Sequence, residues 1–312
     1  MFQEINSNDD IFSSPSFSND AITFMGLTSA LEKAKISPDC HLFSNKKDCV
    51  IFNAGPQNPI VVWTDDNFQE YEKLYDFIQD NFKNNESLEI MSKKGFYDYL
   101  LDNKKVPSQQ QSQSAEAYSC QNLNAVFYDG KATQIRPQEV DTVARMLVDF
   151  DVESGENPKE EPDAQDYKKA REFISNPSHL VWRDANENIV AMGYTKDSEN
   201  VQRICGVFTP QKYRGHGYAR MLVHHLTAQI LKSGKIPALY VDKDNASAIK
   251  TYQAVGYELN GSLLSFEMPK TQKMQQKEYG VPTGVPAIHS VYEKQSANKI
   301  NLTLLSKGKN MR

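Results

Sequence analysis

YRGHGYA, residues 213–219, sets two glycines two apart behind an arginine and runs straight into an apolar pattern of helical spacing. The stretch before it, VQRICGVF at 201–208, has the composition of a strand. After it, Met221, Leu222, His225, Leu226 and Ile230 recur at three- and four-residue steps until Gly234 supplies a stop. A glycine-rich turn between strand and helix leaves backbone N–H groups unpaired at the positive end of the helix dipole, which suits pyrophosphate. Arg214 adds a charge at the edge of the turn, Gly215 and Gly217 let a ligand approach the backbone, and Ala219 allows close packing of the first helical turn. In isolation, the same residues also fit a plain turn with no ligand.

Working outward, IPALYVD (236–242) reads as a buried strand, NASAIKTYQAVG (245–256) as a helix capped by Asn245 and stopped by Gly256, and YELNGSLLSFEM (257–268) as a further strand. Upstream, EVDTVARMLVDF (139–150) and AQDYKKAREFIS (164–175) read as helices, and HLVWRD (179–184) and IVAMGYT (189–195) as a hairpin pair around ANEN. Strands and helices alternate and end in strands, so an α/β domain with a mixed sheet is expected.

In the first third, CVIFNAG (49–55) and PIVVWTD (59–65) read as two strands meeting at a turn. Phe68, Tyr71, Leu74, Tyr75, Ile78 and Phe82 form the stripe of a helix lying on them; LEIMSK (88–93) and GFYDYLLDN (95–103) suit a strand and a short helix. Residues 1–20 are polar enough to be expected disordered. A smaller α/β domain is expected over 21–106, a Gln/Ser-rich linker over 107–121, the main α/β domain over 122–269 and a polar tail over 270–312.

The 312 residues suffice for two units with real cores, and the 39% hydrophobic and 24% charged content is that of a globular chain. A net charge of −5 provides no basic field for nucleic acid. No apolar run reaches membrane-spanning length and the start lacks a signal-peptide pattern, so a soluble, cytoplasmic protein is expected. Cys40, Cys49, Cys120 and Cys205 are widely spaced, reading as free thiols with no metal site.

Rival phosphate motifs fit less well. A Rossmann fingerprint wants a small residue where Arg220 stands, although Asp242 at the end of the next strand could imitate its ribose-binding acid. A Walker loop lacks its Gly-Lys-Ser/Thr, and DKDNAS (242–247) lacks the ligand and glycine of a calcium loop. Asn245, Ala248 and Tyr252, at steps of three and four, share one helix face. Read blandly, Asn245 is only a cap and Tyr252 only a packing residue.

The pattern Arg-x-x-Gly-x-Ala at Arg214, Gly217 and Ala219, followed by Asn245, Ala248, Tyr252, Gly256 and Tyr257 at their spacing, resembles the GNAT superfamily of acyl-CoA-dependent N-acyltransferases. The resemblance spans about 130–269 and implies a GNAT-like twisted mixed sheet with helices on both faces. GVFTPQKYRGHGYA is similar to an acetyltransferase subgroup in which a degenerate half precedes the active one, which implies that 21–106 is a degenerate GNAT-like half; an unrelated accessory domain fits the same residues.

The resemblance further implies transfer of an acetyl group from acetyl-CoA to an amine of a small molecule, an amino acid or a protein. The backbone from Arg214 through Gly215, His216, Gly217 and Tyr218 to Ala219 would hold the pyrophosphate. The backbone of Val207, Phe208 and Thr209 would meet the pantetheine as an added strand does, and Asn245, Ser247 and Ala248 would flank the cofactor arm. Tyr252 would be the general acid, since a phenol with a pKa of about 10 can protonate a thiolate whose thiol ionises near about 8.5. VQRICGVF carries no carboxylate, leaving Glu199 and Asp242 as candidates for the base. His216, His224 and His225 read as surface or packing groups. A coenzyme-A-binding module without turnover and a nucleotide-dependent oxidoreductase remain as alternatives.

Overall fold

The computed structural model describes residues 1–33, 40–83, 85, 87–108, 112–155, 159 and 161–270, and the chain divides into two compact units. The expected tail over 270–312 lies, apart from its first residue, outside the described residues.

Among the described residues, the first unit comprises Met1–Gln113 together with 263–270. Its strands β1 (Gln3–Glu4), β2 (His41–Ser44), β3 (Cys49–Asn53) and β4 (Ile60–Thr64) pair antiparallel in order, and β5 (Glu89–Ser92) runs parallel to β4. All five residues of both β3 and β4 are buried, as runs of Val, Ile, Phe and Trp require when both faces are covered. Helices α1 (Pro15–Asn19), α2 (Met25–Lys33), α3 (Tyr71–Asn81) and α4 (Lys94–Asp102) complete the unit. The predicted stripe holds: Leu74, Tyr75 and Ile78 of α3, with Phe82 beyond it, enter the core around Ile51, Val62 and Ile90.

Residues 1–20 depart from the expected disorder. Ile11 and Phe17 are buried, the Phe17 ring meets Trp63 edge-on at 5.2 Å, and Trp63 Nε1 donates to Asp20 at 2.8 Å. Two buried side chains and a ring N–H that needs an acceptor are enough to order a polar segment.

The second unit spans Ser114–Ser262. Its strands are β6 (Ser112–Ser119), β7 (Lys131–Thr133), β8 (His179–Arg183), β9 (Ile189–Asp197), β10 (Val201–Phe208) and β11 (Ile236–Asp242), followed by β12 (Glu258–Glu267). Order across the sheet is β6-β11-β10-β9-β8-β7, with β10 and β11 parallel and the remaining registered pairs antiparallel, the expected mixed sheet. The stretch read as a linker therefore contributes a strand, β6, which pairs with β11 from Ala115↔Asp242 to Ser119↔Ala238. In the first unit Leu264–Glu267 pairs antiparallel with β5.

Helices α5 (Val140–Glu153) and α6 (Ala164–Ser175) pack over Val181, Met192 and Phe208. Helices α7 (Tyr218–Lys232) and α8 (Ala246–Val255) enclose a separate core with Ile204, Leu239 and Val241. Val181 and Trp182, adjacent on β8, feed different cores, which places helices on both faces of the sheet. Among the described residues no helix is long and apolar enough to cross a membrane, and no cluster of His, Cys, Asp and Glu could hold a metal.

Candidate functional site

The parallel pairing of β10 with β11 is registered at Val201↔Ile236, Gln202↔Pro237 and Arg203↔Ala238, and stops there. On the other edge, β10 shifts register against β9 between Cys205 and Phe208. Gly206, at φ +57°, lies inside that shift, and a Cβ on it would stand 2.4 Å from Tyr194 Cε1. Glycine is required there by conformation and by space, and the bulge re-aims the strand away from β11. A glycine inside a strand pattern is the sequence signal for such a bend, one not drawn from VQRICGVF. Beyond Arg203, no residue of β10 is registered with β11; Phe208 is registered with Met192 on the other edge and the Thr209 carbonyl accepts from Arg214, so it is the β11-facing edge of β10 around Val207 that is left for another partner. At the end of this edge Thr209 Oγ1 is buried and has no hydrogen-bond partner among the described residues.

The chain then makes one 3₁₀ turn, Gln211–Tyr213, and enters the glycine loop. Gly215 and Gly217 both have φ near +80° (+84° and +79°), so the need for glycine is conformational; a Cβ on Gly215 would meet nothing within 4 Å. Gly217 is the N-cap of the fifteen-residue α7 and offers no capping side chain. The N–H groups of Gly215, His216, Gly217, Tyr218, Ala219 and Arg220 accordingly have no hydrogen-bond partner among the described residues.

The expected cradle is corrected at its first residue. The Arg214 N–H is spent on the Gln211 carbonyl at 3.2 Å, so the open amides begin at Gly215. The Arg214 guanidinium is also engaged: Nε donates to the Thr209 carbonyl at 2.9 Å, one terminal nitrogen reaches Glu153 Oε1 at 2.7 Å, and the group lies 5.9 Å from the Phe208 ring centre. Arg214 ties the loop to the end of β10 and to α5. The exposed His216 stacks on Tyr218 at 5.6 Å.

On α8, Asn245 is the N-cap, its Oδ1 accepting the Ala248 N–H at 3.1 Å. Ser247 is exposed and Ala248 half-buried on the same turn. Tyr252, one helical turn on, packs at the margin of the α7/α8 core, with Val207 of β10 in the same cluster. Its hydroxyl has no hydrogen-bond partner among the described residues, and burial, then the Cys205 thiol, pushes its pKa above the ordinary phenol value. Cys205 is itself raised, first by burial.

The two candidate bases are separated. Asp242 ends β11 on the open side of the splay, its Oδ1 accepting the Asp244 N–H at 2.8 Å. Glu199 lies in the turn before β10, at the paired end of an eight-residue strand. Of the two candidates, Asp242 is therefore the one at the end where β10 and β11 part. His224 meets the Tyr128 hydroxyl at 2.5 Å and His225 faces Trp182, a packing cluster on the sheet-facing side of α7.

Residues 144–257 match the model of the Acetyltransferase (GNAT) family. Among solved structures, the chain is similar to a GCN5-related N-acetyltransferase from Sphaerobacter thermophilus: TM-score 0.57, 12% identity, over 87% of this chain and 96% of that one. It is also similar to a GNAT-family acetyltransferase from Colwellia psychrerythraea (TM-score 0.50, 13% identity, 86% and 100% coverage) and to a GCN5-related N-acetyltransferase from Kribbella flavida (0.50, 13%, 82% and 97%). At such identities the likeness is one of fold. No curated protein matches the sequence.

Proposed function

We propose that the second unit is an acyl-CoA-dependent N-acyltransferase that uses acetyl-CoA. The observation that carries this reading is the junction of three unsatisfied features: six open amides at the start of α7, an unpaired edge on β10, and the unpartnered Tyr252 hydroxyl. An uncapped helix start with consecutive outward amides fits a diphosphate. The edge of β10 fits the two amides of a pantetheine arm, as a strand edge accepts an added strand. The orphaned Thr209 Oγ1 is a further polar group awaiting a partner there. Acetyl-CoA would supply the activated acyl group.

The chain's own groups then have defined tasks. The Gly215–Arg220 amides hold the diphosphate, and the β10 backbone from Val207 to Thr209 orients the thioester carbonyl and offers it an N–H as its oxygen gains charge. Tyr252, kept protonated by burial, gives its proton to the sulfur as the C–S bond breaks and the N–C bond forms. Asp242, the candidate carboxylate at the open end of the splay, takes the proton lost by the amine, directly or through water. The test is incubation with acetyl-CoA and a panel of amines, with thiol release as readout. Release that depends on the amine and falls with Tyr252→Phe supports the reading. Failure of saturating acetyl-CoA to raise the melting temperature overturns it.

A further inference from the structure

The glycine loop is anchored at its two ends and open between them. Downstream it is fixed by α7, where the Met221 N–H donates to the Gly217 carbonyl at 3.0 Å. In between, Gly215 and His216 make no hydrogen bond among the described residues, and a Cβ on Gly215 would touch nothing. Upstream the anchor is the Arg214 side chain, which donates through Nε to the Thr209 carbonyl at 2.9 Å and reaches both carboxylate oxygens of Glu153, Oε1 at 2.7 Å. Phe150, one turn before Glu153 on α5, meets the Phe208 ring edge-on at 5.9 Å, and the Arg214 guanidinium lies 5.9 Å from the centre of that same ring. Phe150, Phe208, Arg214 and Glu153 thus close a circuit that joins the last turn of α5 to the end of β10 and the start of the loop. The acid in this circuit is badly placed for its own helix. Glu153 ends α5, whose last turn holds no basic residue, so its charge meets the negative end of the helix dipole. The two acids before it are answered from the helices themselves, Asp149 by Arg145 of α5 at 3.1 Å and Asp151 by Lys169 of α6 at 3.6 Å. Among the described residues Glu153 pairs with Arg214 instead, across sixty-one residues of chain.

We propose that Glu153 is a positioning residue for the cofactor: by holding Arg214 it fixes the loop in the shape that presents the amides from Gly215 onward, without itself touching the ligand. This rests on the acyltransfer reading above and adds to it the device that prepares the diphosphate site. A loop already in its bound shape gives up less freedom when the diphosphate arrives, so affinity is gained with no new contact. The planar guanidinium suits the task, because its fork can serve the Thr209 carbonyl and the Glu153 carboxylate at once, which a lysine ammonium on a flexible stem does less well. Arg214 is then a strut, and the diphosphate is met by main-chain N–H groups.

The experiment compares two acyl donors on the full chain: acetyl-CoA, and S-acetyl-pantetheine, which keeps the thioester arm and lacks the diphosphate. Glu153→Gln should raise the KM for acetyl-CoA about fivefold, the upper range for an exposed charge pair, with kcat and the KM for the amine unchanged. With S-acetyl-pantetheine the ratio of kcat/KM between wild type and variant should stay near one, which locates the effect at the diphosphate. Glu153→Asp, which keeps the charge on a shorter arm, should recover part of the loss. The urea midpoint of Glu153→Gln should not fall, since a charge unfavourable to α5 has been removed. Calorimetric titration with coenzyme A reads the same loss of affinity without turnover. Tighter binding of coenzyme A by Glu153→Gln would show that Glu153 competes with the diphosphate for Arg214, and would overturn the assignment. An unchanged KM, or an equal loss with both donors, overturns it too. Failure of the acyltransfer reading shows separately, as absence of thermal protection of the wild type by acetyl-CoA, and takes the positioning role with it.

Discussion

The ring of Tyr252 stands 6.1 Å from that of Tyr257, and of the two phenols only Tyr257 has a hydrogen-bond partner among the described residues: its hydroxyl shares a 2.8 Å bond with Thr227. Both are raised in pKa by burial, but the bond to Thr227 consumes the Tyr257 hydroxyl in the core, whereas Tyr252 keeps its proton available at the splay. Tyr252→Phe should lower kcat about a hundredfold with the affinity for coenzyme A retained. Tyr257→Phe should leave kcat alone and cost about 1 kcal/mol of stability, from the bond lost and the Thr227 hydroxyl left behind. Steady-state rates beside urea unfolding of both variants separate the two roles; an unchanged rate for Tyr252→Phe removes it from the chemistry.

Gly206 and Gly215 make a second contrast. Both have positive φ, but a methyl group on Gly206 runs into the Tyr194 ring whereas one on Gly215 enters open space. Gly215→Ala should cost about 1 kcal/mol of backbone strain. Gly206→Ala carries the same strain plus the clash, a loss of about 2 kcal/mol or more, and should weaken coenzyme A binding because the bulge sets the path of the β10 edge. Chemical denaturation ranks the stabilities, and titration with coenzyme A reads the second effect. Equal stability losses would show that Tyr194 gives way freely.

What the sequence revealed follows from how each feature is encoded. The α7 loop and the α8 face were legible because glycine at positive φ, the Asn245 cap and the Tyr252 spacing are local signals. Strand β6 was not: of the buried residues in SQSAEAYS, Ala115, Ala117, Tyr118 and Ser119, only Tyr118 is large and apolar, too little to register as an apolar stripe. Arg214 was read as a charge for the ligand, and only the fold shows Glu153, sixty-one residues away, drawing it aside.

Acid should loosen the second unit through Glu139. Arg183, 1% exposed, donates to both Glu139 carboxylate oxygens at 2.8 Å and to Thr133 Oγ1 at 2.8 Å. Burial alone would raise the Glu139 pKa, but the Arg183 bonds outweigh it and hold the carboxyl below its ordinary value. A folded pKa below the unfolded one stabilises the fold above the ordinary glutamate value of about 4.3, and the contribution fades as pH falls below that through the folded value. Glu139→Gln should remove this part of the acid sensitivity and cost about 3 kcal/mol at neutral pH, because it strands a buried guanidinium. Urea midpoints from pH 7 down to 3 check both; a variant that keeps the wild-type acid slope excludes Glu139 as its source.

The first twenty residues provide the last test, because composition and structure give opposite answers for them. Phe17 is 3% exposed, edge-on to a Trp63 that has no exposed surface, and Asp20 accepts the Trp63 N–H while pairing with Lys93 at 2.5 Å. A disordered segment would tolerate Phe17→Ala without effect. A packed one loses the transfer energy of the ring and gains a cavity against the indole, about 3 kcal/mol. Asp20→Ala should also destabilise, by about 1–3 kcal/mol, since it leaves the indole N–H buried without its acceptor and the half-buried Lys93 with Asp66 alone at 2.8 Å. Because Phe17 and Asp20 grip the same tryptophan, the double variant should cost less than the sum of the two single changes. Urea unfolding followed by tryptophan fluorescence reports all three, and a neutral Phe17→Ala would return the segment to solvent.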